Sequence, residues 1–483
     1  MENKDLSFKG VTDDSRKVQS DYVFIAIQGE SRDGNEYIQD AINKGAKLII
    51  TERDLDHRYQ IPYLKVEDAR AALANLNALL YSTTQSNIRV IGVTGTNGKT
   101  TTTHMIEAIF REAGRDIALL GGQGLRMGGL RKESSLTTPS SEEINKFLFQ
   151  ARKRGVGWAV MEVSSHGLKQ KRVEGIQFDT AIFTNISRDH LDYHGNLEDY
   201  IHSKSLLFKG LKENTRAIIN GDDPHAFRMI EGKRGIYVIS YGLKSKSTIT
   251  ASSIDMGNGI RFNYCLQRSL DTYRHGKIEV QEFPIEVKLL GYHNIYNALA
   301  AITTGLIYEV SIQDIQRALR GFSPVARRLE YTSIPPYYVL DDYAHNPSSL
   351  EAAFQSLQSI NYQDLYVLVA LRGGRGEEIN RENAEIIANW CTLLKVRGLY
   401  ITESRDCVDL DNRVQNHERE GFLRTLRKRR VPYRFHTNLR NSIQEILRKT
   451  KGEDLIVLLG AQGMDAGKEL IKSLISSEKK IFH

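Results

Sequence analysis

The chain has few cysteines, no long apolar run and no aromatics within its densest basic stretch. Its three cysteines, Cys265, Cys391 and Cys407, are widely scattered and lack metal-ligand spacing. That pattern excludes a disulfide framework and suits a reducing compartment. No stretch approaches the roughly 20 apolar residues that a membrane span needs. The opening MENKDLSFKG is polar and has no apolar core of a signal peptide. A soluble, cytoplasmic, monomeric protein with no membrane partner is the expectation. Internal repeats and low-complexity tracts are also missing. The basic run Arg424-Thr425-Leu426-Arg427-Lys428-Arg429-Arg430 has no interleaved aromatics, so it reads as a solvated helix face and no nucleic acid is expected as partner.

What is present is an ordinary globular balance over 483 residues, enough for two to four domains. The net charge of +7 is modest and suits phosphorylated small molecules as well as nucleic acid. Residues 1–88 read as a small α/β unit, with strands at 22–27 and 47–50 and a helix at 69–81. Residues 89–326 alternate short apolar runs (89–93, 159–163, 180–183, 217–219) with helical segments, which argues for a mostly parallel sheet covered on both faces. Within them, residues 245–290 alternate polar and apolar positions and suggest an antiparallel β insertion. A second alternating block starts near Arg327, with strands at 337–340, 365–371, 398–401 and 455–459. The expectation is an α/β protein of three domains: 1–88, a central mostly parallel phosphate-loop domain at 89–326, and a Rossmann-like domain at 327–483.

The strand at 90–93 runs into Thr94-Gly95-Thr96-Asn97-Gly98-Lys99-Thr100-Thr101 and then a helical stretch. A glycine-rich strand-to-helix turn lets backbone N–H groups approach phosphate closely. Lys99 would neutralise the outer phosphates and the Thr100 hydroxyl would reach Mg²⁺. The strict spacing is not kept, because Gly92 lies one residue too far upstream. Nucleotide binding is the inference.

This loop resembles that of the Mur ligase family, and further strings follow in the family's order. They are Asp14-Ser15-Arg16-Lys17-Val18, Thr137-Thr138-Pro139, Glu162-Val163-Ser164-Ser165-His166-Gly167-Leu168, Asp189-His190-Leu191-Asp192-Tyr193-His194-Gly195, His293-Asn294-Ile295-Tyr296-Asn297 and Asp342-Tyr343-Ala344-His345-Asn346-Pro347. The second pair of strings is similar to the branch that adds the third residue to UDP-N-acetylmuramoyl-L-alanyl-D-glutamate. The resemblance implies an ATP-dependent, ADP-forming amide ligase of peptidoglycan precursor synthesis that works through an acyl phosphate. Its partners would be the UDP-N-acetylmuramoyl peptide and an amino acid, with ATP and two Mg²⁺ ions as cofactors. The alternative is a paralogue with altered acceptor or donor in a specialised pathway.

Residue by residue, the resemblance implies ATP contacts from Gly95, Thr96, Asn97, Gly98, Lys99, Thr100, Thr101, Asn294, Asn297, Arg328 and Asp342. Asn294 and Asn297 also read as helix caps. Thr100 and Glu162 would hold a first Mg²⁺, and His190 with a carbamylated Lys204 a second. Lys99, Lys204, His190 and Arg328 would carry the catalysis. Ser15 and the turn Glu30-Ser31-Arg32 match nucleotide-sugar contacts, and Thr137, Thr138, Ser164, Gln170 and Arg172 match contacts to the muramoyl peptide. Arg172 is a natural clamp for carboxylate or pyrophosphate. His166 reads equally as a site residue and as a hydrogen-bonded core histidine.

The pattern breaks on the acceptor side. Where diaminopimelate-adding members carry Asp-Asn-Pro-Arg, this chain has Glu403-Ser404-Arg405-Asp406. Their Gly-Lys-Gly-His-Glu is replaced by Gly460-Ala461-Gln462-Gly463-Met464-Asp465. Arg381 keeps its distance from the Gly373-Gly374 pair. Arg405 could bind the acceptor's carboxylate, Asp406 its amine, and Asp465 could stand in for the missing glutamate. Arg327 stands where the family usually has glycine. Pocket changes of this kind alter specificity strongly, so no amino acid is assigned.

Overall fold

The computed structural model describes residues 8–481 apart from residues 30, 31, 84–86, 135, 190 and 258. These form a two-stranded ribbon of Leu270–Asp271 with Lys277–Ile278, and three large sheets with separate apolar cores, one after another along the chain. The first has four parallel strands in chain order, Gly10–Thr12, Tyr22–Ala26, Ala46–Thr51 and Tyr63–Lys65. Parallel neighbours need crossovers, and helix Ile38–Asn43 supplies one of them. Helix Ala69–Leu80 is capped by Asp68, whose carboxylate accepts from Ala71 N at 2.8 Å.

The second sheet has eleven strands. From one edge they run Gln281–Val287, Ile260–Leu266, Ile249–Asp255, Tyr237–Tyr241, Arg216–Asn220, Phe178–Phe183, Arg89–Thr94, Trp158–Glu162, Ile117–Gly121, Gly124–Met127 and Leu130–Lys132. The inner strands are parallel and buried on both faces. Helices Lys99–Glu112 and His293–Ile307 cover one face, and Ser141–Lys153 and Leu197–Lys209 the other. Residues 245–290 are antiparallel, as the alternation predicts, but they extend this sheet: Tyr241 pairs in parallel with Ile249. The reason is packing. Ile260, Phe262, Tyr264 and Leu266 face the same core as helix His293–Ile307.

The third sheet runs Glu330–Ile334, Tyr337–Asp342, Leu455–Leu459, Leu365–Ala370, Gly398–Thr402 and Arg434–His436; only its first pair is antiparallel. On helix Asn416–Lys428, Arg424, Arg427 and Lys428 are exposed while Thr425 and Leu426 are buried, the solvated face that the basic run predicts. Among the described residues no helix is long and apolar enough to cross a membrane.

Candidate active site

The phosphate loop leaves strand Arg89–Thr94 and enters helix Lys99–Glu112 through two left-handed glycines, Gly95 at φ 148° and Gly98 at φ 88°. A side chain at Gly95 would strike the Thr184 hydroxyl, and one at Gly98 the Asn297 amide oxygen, so both conformation and space demand glycine. Thr184 Oγ1 donates to Asn97 O at 2.6 Å. Behind the loop, Thr102 Oγ1 donates to Asn297 Oδ1 (3.3 Å) and Asn297 Nδ2 to Asn294 Oδ1 (2.8 Å). Asn294 in turn donates to Leu290 O at 2.7 Å. Both asparagines are buried braces of the loop.

Lys99 Nζ donates to Gly95 O and Thr96 O, each at 2.9 Å. Lys204, on helix Leu197–Lys209 and 1% exposed, donates to the same Gly95 O at 2.8 Å, with its Nζ 4.5 Å from the Tyr200 ring centroid. Burial, with Lys99 adding, holds the Lys204 amine well below the ordinary lysine range against the pull of Asp189. Burial lowers Lys99 as well. Two lysine amines thus converge on one carbonyl where a nucleotide's phosphate charges would fall.

Glu162 closes strand Trp158–Glu162, buried, and accepts from Thr100 Oγ1 (2.8 Å) and Gly122 N (3.0 Å). Arg328 donates to Thr100 Oγ1 at 3.3 Å and lies 4.8 Å from the Tyr343 ring centroid. Asp342 accepts from Leu329 N at 2.7 Å; burial raises its carboxyl against the pull of Arg328. Among the described residues no group of three or more His, Cys, Asp or Glu side chains converges for a metal. One carboxylate beside one hydroxyl suits a small hard cation that keeps water and phosphate oxygens in its shell, and does not suit an all-protein cage. His190, the expected ligand of a second ion, lies outside the described residues.

The residues expected to hold the donor peptide abut Glu162. Thr138 Oγ1 donates to Glu162 O (3.0 Å) and accepts from Ser164 N (2.8 Å). Arg172 donates to Thr138 O (2.7 Å) and to Gln170 Oε1 (2.5 and 3.1 Å), and Gln170 donates to the Tyr193 hydroxyl at 3.2 Å. Thr137 borders Gly122. His166 stacks on Tyr193 with centroids 4.0 Å apart, and burial with His194 lowers its pKa to about 3, so it is a neutral packed ring. Ser15 lies in the first domain, where its carbonyl accepts from Lys44 at 3.2 Å; Glu30 and Ser31 lie outside the described residues.

The third domain closes on the phosphate loop through residues that no motif singled out for this contact. Asn97 Nδ2 donates to Ser348 Oγ (2.9 Å), which donates to Ser187 Oγ (2.8 Å). Asn346 Nδ2 donates to buried Asp189 at 3.0 Å, and Arg188 pairs with Glu382 at 2.8 Å. Arg188 and Asp189 immediately precede His190, so that segment carried a signal for the seam as well as for a metal.

On the acceptor side the expectations divide. Arg405 pairs with buried Glu403 at 2.6 Å, and Arg419 joins it at 3.1 Å. Asp406 has its carboxylate engaged by backbone. It accepts from Leu439 N (2.8 Å) and Arg440 N (3.2 Å), at the start of helix Leu439–Lys449, because unpaired N–H groups there need an acceptor. Asp465 pairs with Arg327. Arg381 stands exposed on helix Gly376–Leu393.

A phosphate loop heading a parallel sheet, backed by paired lysines and closed by an arginine from the next domain, defines a nucleotide-binding α/β enzyme. The family models that match are the Mur ligase family catalytic domain over residues 7–81, the Mur ligase middle domain over 93–305 and the Mur ligase glutamate ligase domain over 327–462. The chain is 37% identical over 370 residues to the UDP-N-acetylmuramoyl-L-alanyl-D-glutamate–2,6-diaminopimelate ligase of Geobacillus thermodenitrificans, covering 75% of this chain and 73% of that protein. Identity to the protein of the same description from Listeria innocua is 30%, over 98% and 94% of the two chains. The MurF ligase of Thermotoga maritima, solved with ADP, shares the fold with a TM-score of 0.67 at 17% identity, over 98% of this chain and 100% of that one. The chain belongs to the Mur ligase family and is an ATP-dependent, ADP-forming ligase.

Proposed function

We propose that this ligase joins an amino acid to UDP-N-acetylmuramoyl-L-alanyl-D-glutamate in peptidoglycan precursor synthesis, the donor that its 30–37% identical relatives are named for. Residues 1–88 would take the nucleotide sugar, 89–326 ATP and 327–483 the amino acid. The observation that carries the reading is Thr138, which ties the Arg172 clamp to the backbone of Glu162, so that a donor carboxylate held by the clamp would lie beside the phosphate loop. Lys99 and Arg328 neutralise the transferring phosphate while Thr138, Gln170 and Arg172 orient the donor. The donor carboxylate attacks the γ-phosphate and ADP leaves. The acceptor's amine then attacks the acyl carbon, and phosphate departs.

The oxygens of Thr100 and Glu162 fit one Mg²⁺, and His190 with carbamylated Lys204 would hold a second. Bound there, the ions would neutralise phosphate charge. Burial lowers the Lys204 pKa and so favours the neutral amine, the form able to add to CO₂ with loss of a proton to solvent. Closure of the Asn97–Ser348 seam would keep water from the acyl phosphate.

A second reading, a paralogue with another acceptor, draws on Asp406 serving as a helix cap and Asp465 being paired with Arg327. Phosphate release with ATP, Mg²⁺ and the UDP-muramoyl dipeptide, against single amino acids including diaminopimelate and lysine, separates the two. Turnover with one amino acid, with the tripeptide product seen by mass spectrometry, supports the main reading. ATP binding with no turnover on any of them supports the second.

A further inference from the structure

Arg327 and Arg328 are adjacent in sequence, yet their guanidinium groups serve opposite ends of the site. Arg328 reaches Thr100 on the phosphate loop. Arg327 turns into the third domain, where its side chain is 10% exposed. There it donates to Gly460 O (2.5 Å) and Ala461 O (3.0 Å), bridges to buried Asp341 (3.1 Å) and pairs with Asp465. Both guanidinium groups lie over one ring, with the Arg327 group 5.0 Å and the Arg328 group 4.8 Å from the Tyr343 centroid. Tyr343 N donates to Arg327 O at 2.9 Å.

The backbone makes this divergence. Arg327 sits at φ 59° and Leu329 at φ 46°, a region that favours glycine and strains a residue with a side chain. An arginine held there against that preference, with its fork filled by two carbonyls and two carboxylates, is a built contact and not a surface side chain at rest. It fastens the loop at 460–465 to the hinge residue next to Arg328. Asp465 keeps 60% of its side chain exposed, so the pair fixes the carboxylate without burying it and leaves it able to accept from another donor.

We propose that Arg327 is a positioning residue for the acceptor: it holds the loop at 460–465 so that Asp465 meets the incoming amino acid in register with Arg328. This rests on the reading of the third domain as the acceptor-binding one. Tying the acceptor loop to Arg327 makes that loop and the neighbouring Arg328 move as one.

The test uses the full chain and the variants R327K, D465N and R327K/D465N. Lysine keeps a positive charge beside Asp341, so the fold is retained, but it cannot span the two carbonyls. In R327K, hydrogen exchange at residues 460–465 should quicken by about 10-fold or more, a readout independent of turnover. With the amino acid that supports wild-type turnover, its KM should rise about 10-fold while the KM for ATP stays within about 2-fold. The double variant should be no worse than the weaker single one, because both act through one contact. Unchanged exchange at 460–465, or independent multiplication of the two single effects, overturns the proposal. Absence of wild-type turnover with every amino acid counts against the amino-acid acceptor proposed above, and exchange then still decides whether Arg327 holds the loop.

Discussion

Lys99 and Lys204 meet at one acceptor, the carbonyl oxygen of Gly95, at 2.9 and 2.8 Å. Two ammonium groups so close, both buried, repel each other. The Lys204 amine is held well below the ordinary range by burial first and Lys99 second.

That relationship has a pH consequence. In the unfolded chain Lys204 titrates at about 10.4, whereas in the fold its pKa is depressed. Between the two values the unfolded state binds the extra proton, so stability from this site is lowest at low pH and recovers as pH rises toward the unfolded value. Lys204→Met removes the penalty. In protein prepared without bicarbonate it should melt higher than wild type at neutral pH, the gap should narrow toward alkaline pH, and ligation should be lost. Thermal melts across pH with a parallel activity assay check this; a gap that widens with pH would contradict the burial argument.

Glu162→Gln preserves shape and keeps an oxygen for the Thr100 hydroxyl but removes the charge. A carboxylate that holds a divalent ion cannot be replaced so, and kcat should fall by about 100-fold or more with Mg²⁺ titration shifted to higher concentration. Initial rates over a Mg²⁺ series give the answer. Wild-type Mg²⁺ dependence in the variant would remove Glu162 from the metal site.

Arg172→Ala should fall mainly on the donor. The side chain is partly buried, bonded to Thr138 O and Gln170, and burial lowers its pKa, as for a cation awaiting an anion. Losing a desolvated charge partner costs about 2–5 kcal/mol, so kcat/KM for the UDP-muramoyl dipeptide should drop by roughly 30-fold or more. ATP parameters should hold. An equal loss for ATP would place Arg172 elsewhere in the cycle.

Arg405→Ala leaves buried Glu403 with Arg419 alone. The fold should lose about 1–3 kcal/mol, since a buried carboxylate is short of one partner. The KM for the amino acid should rise more than that for ATP. Chemical denaturation and steady-state kinetics read the two effects separately; a change in stability alone would make Arg405 a structural partner of Glu403.

The central domain was legible because its chemistry is local. Gly95, Gly98, Lys99 and Thr100 lie within six residues, and strand ends such as Glu162 follow from apolar runs bounded by turns. The third domain was less so. Arg327 finds Gly460 and Asp465 more than 130 residues away, and no spacing rule points across that distance. Asp406 sits beside Arg405 in sequence and reads as its companion, but its carboxylate answers helix Leu439–Lys449, whose start is set by a later part of the chain. The alternation at 245–290 revealed antiparallel strands; that they join the central sheet depended on the single Tyr241–Ile249 pairing.

The contact of Asn97 with Ser348 gives one side chain two duties, since the residue that lines the phosphate loop also meets the third domain. A change at Asn97 is therefore felt on both sides of that contact, in the phosphate loop and in the third domain.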